Sequence, residues 1–233
     1  MRGNAIDKGE KINPTILLLL TTIIIISLKW LTSYSLHPSE PLVNKIIFDL
    51  KDHLYFPHIL ALSNLNLTPD YLTDYTPNKI IPIPIYSLVF HSLSYIIFNE
   101  YGFIAIEYFA LFLFLGILFK IFKELNFNTH FSIVFALVIF LLPEFFIYFK
   151  HLNMNLINFD IMQNLHSFRI PRPLISSIYF FWGLLLAIYY NKYENKNYFY
   201  ILIGINLAIN FGSVFYNFVV LSVLFFILFL NKV

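Results

Sequence analysis

A polytopic, all-α membrane protein is the fold class this sequence predicts, on three observations. Of its 233 residues, 59% are hydrophobic and only 12% are charged, against about 25% charged in a soluble domain. The mean hydropathy is +0.73. Apolar runs close to the ~20 residues a helix needs to cross a bilayer recur along the chain, separated by short polar turns. The net charge of +2 is small and dispersed, and no basic, aromatic-interleaved patch exists, so nucleic acid is excluded as a partner. The absence of Cys excludes disulfides, CxxC redox sites and thiolate metal sites. Richness in Ile, Asn, Lys, Phe and Tyr suits an AT-rich, bacterial genome.

The polar residues 1–13 carry Arg2, Lys8 and Lys11 ahead of an apolar run over 14–31, read as a retained first span. Basic residues before it put the N-terminus in the cytoplasm and the next loop, 32–79, on the extracytoplasmic side. Lys29 and Trp30 are expected at the outer interface, the lysine snorkelling and the indole in the aromatic belt. Within the loop, Leu42, Ile46, Ile47, Leu50 and Leu54 recur at helical spacing, which predicts a surface helix over 41–56. The prolines at 77, 82 and 84 bias the residues before them away from helix, so 75–84 reads as extended.

Residues 80–98 decide the topology. They are apolar enough to span, yet Ser87, His91 and Ser94 share one helical face, as in a juxtamembrane helix whose polar side meets the outer interface. Clear spans follow over 103–122, 129–148 and 173–190, and the turns carrying Lys120, Lys123, Lys192 and Lys196 separate them. A spanning 80–98 sends those lysine turns outside; a juxtamembrane one keeps them cytoplasmic, as the positive-inside rule favours. The last apolar region, 198–230, is too long for one crossing and is interrupted by Asn206, Asn210, Gly212, Ser213 and Asn217, so it reads as one broken or two short helices. The whole is a single membrane domain, 1–233, with about five or six spans. Two ionisable residues, Glu107 and Glu144, fall inside spans, where a functional role is the first hypothesis and a reach to the interface the second.

Three motifs together resemble the amino-terminal module of GT-C type membrane glycosyltransferases, which take their sugar from a polyprenyl-phosphate donor. The first is Asp52-His53-Leu54-Tyr55-Phe56-Pro57 followed by the apolar Ile59-Leu60-Ala61-Leu62. The second is the Pro-bracketed approach to the next helix, Thr76-Pro77-Asn78-Lys79 and Pro82-Ile83-Pro84-Ile85, where the family often has adjacent prolines. The third is a later outer loop with Asp160, Arg169 and Arg172. The resemblance implies a juxtamembrane helix after the prolines and a sugar transfer at the extracytoplasmic face of a bacterial inner membrane. The family usually continues through many more spans, so a truncated form is the expectation here.

Transfer from a lipid phosphate needs a base for the acceptor proton and cations, or a metal, for the leaving phosphate. Asp52 is the candidate base, with Asp49 three residues earlier as its rival. Arg169, Arg172, His166 and Lys79 are candidates for the donor phosphate, and Asp52 with Asp160 for a divalent metal. The partners would be membrane lipid, the polyprenyl-phosphate sugar, and a glycan or lipid acceptor. Two other readings stay open. A transporter or lipid-linked-sugar flippase component would use Glu107 and the Asn residues of 206–217 as a path, and a non-catalytic membrane subunit would use its spans to bind a partner.

Overall fold

A computed structural model describes residues 13–50, 55–67, 85–151 and 174–230, with the helical backbone alone for 47–50, 85 and 143–151. Among the described residues there are nine α-helices and no strand, which bears out the all-α class. They are α1 (Pro14–Leu36), α2 (Leu42–Leu50), α3 (Tyr55–Ser63), α4 (Ile85–Phe98), α5 (Tyr101–Glu124), α6 (Thr129–His151), α7 (Leu174–Tyr193), α8 (Asn197–Phe211) and α9 (Phe215–Leu230). Helices α1, α5 and α7 are long and apolar enough to cross a membrane, and the chain is an integral membrane protein. Of the surface helix anticipated over 41–56, the described residues hold helix at Leu42–Leu50 and again from Tyr55, and 51–54 lie outside them. The anticipated extended segment at 75–84 lies outside the described residues.

Local chemistry sets the helix ends. The Asn13 side chain accepts from the Thr15 amide at 3.0 Å and Pro14 occupies the first turn, where its missing N–H costs nothing. Asn126, at φ 67°, turns the chain out of α5, and Asn128 caps α6 by accepting from the Phe131 amide at 2.9 Å. Asn99, at φ 52°, makes the equally tight turn between α4 and α5, and its carbonyl accepts from the Gly102 amide at 2.9 Å. Connections this short force each pair of helices to lie antiparallel.

Helix α5 is the axis of the bundle and packs against α1, α4, α6 and α7. Its Ala110, Leu111, Phe114 and Leu115 are wholly buried. The Phe114 ring meets Phe140 of α6 edge-on at 6.2 Å and Phe181 of α7 at 5.5 Å. The direction of α1 follows from its partners. Ser27 hydrogen-bonds Tyr108 at 2.9 Å and Trp30 reaches Glu107, while Thr15 and Lys120 line one groove, so α1 and α5 run antiparallel. Phe122 against Phe135 and Phe114 against Phe140 make α6 antiparallel to α5. Helix α7 runs parallel to α5, as Phe181 against Phe114 and the shared groove of Lys120 with Tyr193 require.

The bundle therefore has two ends. At the loop end lie the C-terminus of α1, the N-termini of α5 and α7 and the C-terminus of α6. At the basic end lie Lys120, Lys123, Lys192 and Lys196. Helices α2 and α4 pack at the loop end, and the 14 residues of α4 run antiparallel to the first half of α5, with Phe90 6.4 Å from Phe109. Lys45 anchors α2 there, its ammonium donating to the Glu40 carbonyl and sitting 4.8 Å from the Tyr34 ring at the end of α1. Helix α4 turns back from α5 closely enough that Ser94 Oγ donates to the Gly102 carbonyl at 2.8 Å. Its first turn meets the tip of the α8 and α9 hairpin, where the Tyr86 amide donates to the Gly212 carbonyl at 3.3 Å.

Gly102 permits the close approach of α4 and α5. A Cβ there would stand 2.6 Å from the Ser94 carbonyl carbon and 2.8 Å from the Tyr95 nitrogen, both backbone atoms that cannot swing aside. Gly102→Val is expected to destabilise the protein by about 1–3 kcal/mol, the usual cost of overpacking. Thermal unfolding in detergent reads this out, and an unchanged midpoint would show that α4 is not held on α5.

Polarity is turned inward. Thr22, His58, Ser87, His91, Ser92, Glu107, Asn206 and Asn210 are buried, while Ile24, Leu28, Leu31, Ile97, Ile201 and Phe226 are more than half exposed. Lipid tails reward this arrangement, because apolar side chains lose nothing by facing them and polar groups need partners inside the protein. The polar face of α4 follows the rule. Ser87 and His91 are fully buried and Ser94 bonds to Gly102, so this face meets the protein and not the outer interface expected for it. Leu93, Ile96, Ile97 and Phe98 form its exposed side.

Candidate functional site

Below the loop end, a polar cluster ties α1 to α5. Glu107 is 2% exposed. Its Oε1 accepts from the Lys29 ammonium at 2.6 Å and its Oε2 from the Trp30 indole at 2.7 Å. One turn of α1 earlier, Ser27 pairs with Tyr108. Lys29 and Trp30 are therefore neither snorkelling nor in an interfacial belt, since both turn inward to satisfy one carboxylate. The physical reason is the expense of a lone carboxylate in a low-dielectric interior, which draws in the nearest cation and donor. Glu107 is held inside the bundle by these two contacts.

Beside this clamp stands His91, with its ring 5.8 Å from Phe103, the residue one turn before Glu107. Neither ring nitrogen has a hydrogen-bond partner among the described residues. The His91 ring is fully buried between α4 and α5. His58 on α3 is also buried, one residue before Ile59, whose carbonyl accepts from Ser92 Oγ at 3.2 Å. These contacts seat the α3 and α4 pair over the clamp. A second polar cluster lies between α7 and α8, where Asn206 and Asn210 donate to the Tyr179 carbonyl at 2.8 and 3.3 Å. Both asparagines are fully buried and closely packed, and a Cβ on Gly183 would stand 2.6 Å from Asn206 Oδ1. They act as a polar seam joining helices.

Of the residues singled out for chemistry, Asp49 lies in the last turn of α2. Asp52, Lys79, Asp160, His166, Arg169 and Arg172 lie outside the described residues. Asp52 falls between α2 and α3, Lys79 between α3 and α4, and the other four between α6 and α7. Among the described residues no group of three or more His, Asp or Glu could hold a metal ion. Sequence reasoning noticed Glu107 and missed its partners. The available signal was Lys29, the one cation in the first apolar run, facing an acid that needs a counter-ion.

Glu144 is in α6, with its backbone alone described. The chain matches no protein-family model, no curated protein and no solved structure.

Proposed function

We propose that this chain is a membrane glycosyltransferase-like protein that moves a sugar from a polyprenyl-phosphate donor to a glycan or lipid acceptor at the extracytoplasmic face. The observation that supports the reading most is helix direction. Because α1 and α6 both end, and α5 and α7 both begin, at the loop end, the helices flanking both polar loops open on one side. The lysines of the other end favour the cytoplasm, so the loop end faces outward, the N-terminus lies inside, and a bacterial inner membrane is the setting.

In this reading Asp52, or Asp49 in its place, takes the proton of the acceptor hydroxyl. The hydroxyl oxygen then bonds to the anomeric carbon while the bond from that carbon to the phosphate oxygen breaks. Arg169, Arg172, His166 and Lys79 stabilise the polyprenyl phosphate that leaves, the arginines as planar bidentate donors. Asp52 and Asp160 suit a hard divalent cation, since carboxylates and no thiolates are on offer.

A transport reading draws on buried Glu107, yet a carboxylate whose two oxygens are held by Lys29 and Trp30 suits a structural clamp better than an exchanging carrier. The proposal is tested in membranes carrying the chain, supplied with radiolabelled polyprenyl-phosphate sugar, where absence of any transfer rejects it. Its topology is tested separately by single cysteines in a chain with no native Cys. An impermeant maleimide applied to intact cells is expected to label Glu100→Cys and Asn164→Cys, and to miss Asn126→Cys and Asn195→Cys. Labelling at 126 with none at 164 would sink the outward-facing site.

A further inference from the structure

A groove of about 790 Å³ runs between α1 and α8 over a floor made by α5 and α7. Its volume is within the range of about 300–1,000 Å³ common to ligand sites. It extends along α7 from Ile178 to Tyr193, a length of about 22 Å at ~1.5 Å per residue, which exceeds half of a ~30 Å hydrocarbon core. One end lies at Phe90 of α4 and Tyr179 of α7. The other end reaches the basic end of the bundle, where Lys120, Tyr189 and Tyr193 form its mouth. Between them the walls are almost wholly apolar.

Two features make this more than a surface open to any lipid. Gly116 lies in the floor, and a Cβ built on it meets nothing within 4 Å, so the missing side chain keeps the groove open. At the mouth Lys120 is exposed and no partner holds its ammonium among the described residues. The acid one turn further along α5, Glu124, lies by the Tyr189 hydroxyl. Around this mouth the described turns carry Lys120, Lys123, Lys192 and Lys196 against Glu124 and Glu194, an excess of positive charge.

We propose that this groove holds the acyl chains of one anionic glycerophospholipid from the adjoining leaflet, with its phosphate at Lys120. An apolar trough longer than one leaflet and cationic at one end matches an amphiphile with a negative head in charge and polarity. The proposal does not depend on sugar transfer, and it concerns the basic end of the bundle.

Trp182 lines the groove and serves as the reporter. The full chain is reconstituted in vesicles of brominated phosphatidylcholine, which quench tryptophan on contact, and these are diluted with unbrominated phosphatidylcholine or phosphatidylglycerol. Phosphatidylglycerol is expected to relieve the quenching at about fivefold lower mole fraction, the effect of one near-surface lysine. Lys120→Gln should erase that preference with Trp182 still quenched. Gly116→Leu should reduce the quenching itself by filling the trough. Equal relief by the two lipids, or a preference that survives Lys120→Gln, overturns the proposal. If Gly116→Leu does not fold, the exposed Lys120→Gln variant decides alone. A preference for polyprenyl phosphate over phosphatidylglycerol in the same competition would assign the groove to a different lipid and also overturn it.

Discussion

Glu107→Ala is expected to destabilise the protein by about 3–5 kcal/mol, the cost of removing one partner from a buried ion pair. The loss is larger than that of an ordinary surface pair because the carboxylate is 2% exposed and the Lys29 side chain only 19%. Alanine leaves an ammonium inside the bundle with its acceptor gone, and it also strips the Trp30 indole of the oxygen it meets at 2.7 Å. Lys29→Met should be damaging for the mirror reason. The double variant Lys29→Met with Glu107→Met should recover much of the loss, since two apolar side chains of similar length can replace a charged pair without stranding either partner. Thermal unfolding of the four proteins in detergent measures the coupling. Additive losses would mean that the pair does not clamp α1 to α5, and the antiparallel placement of those helices would lose its main polar support.

Asp52→Ala is expected to lower sugar transfer by about 10²–10⁴-fold, the range for loss of a general base. Asp52→Glu, which keeps a carboxylate at a longer reach, should restore part of the activity. Asp49→Ala should cost far less if Asp52 takes the proton, and a loss confined to Asp49→Ala would move the role there. Unfolding midpoints of the same variants separate a catalytic defect from a structural one. Transfer that persists unchanged in both alanine variants removes the carboxylate from the mechanism and leaves the glycosyltransferase reading without its base. Glu107→Ala makes the useful contrast, since its defect should follow stability and not chemistry.

Glu107 is buried in the bundle. Glu107 was visible in the sequence as an ionisable residue in an apolar run, and the rule that such residues need partners identifies it without coordinates. Which partner it takes is not a local property. Lys29 and Trp30 lie 78 and 77 positions away in the chain, and their position near the end of an apolar run made the interface an equally sound destination. In α4 the same ambiguity took another form. The spacing of Ser87, His91 and Ser94 put them on one face, and in water that face would be the outer one.

The sequence by itself determined the helices. Length and apolarity of a run are local quantities, and Asn13, Pro14, Asn99, Asn126 and Asn128 end or cap helices through chemistry within a few residues. It also pointed to two helices in the last apolar region, where Gly212 to Val214 separate α8 from α9. Tertiary structure alone decided which way each helix faces. Between lipid and protein core, both sides of a helix can be apolar, so the hydrophobic pattern does not tell inside from outside, and the few polar groups settle it by finding one another. Thus the indole of Trp30 and the ammonium of Lys29 turn to Glu107, the polar face of α4 turns to α3 and α5, and Asn206 and Asn210 turn to the Tyr179 carbonyl.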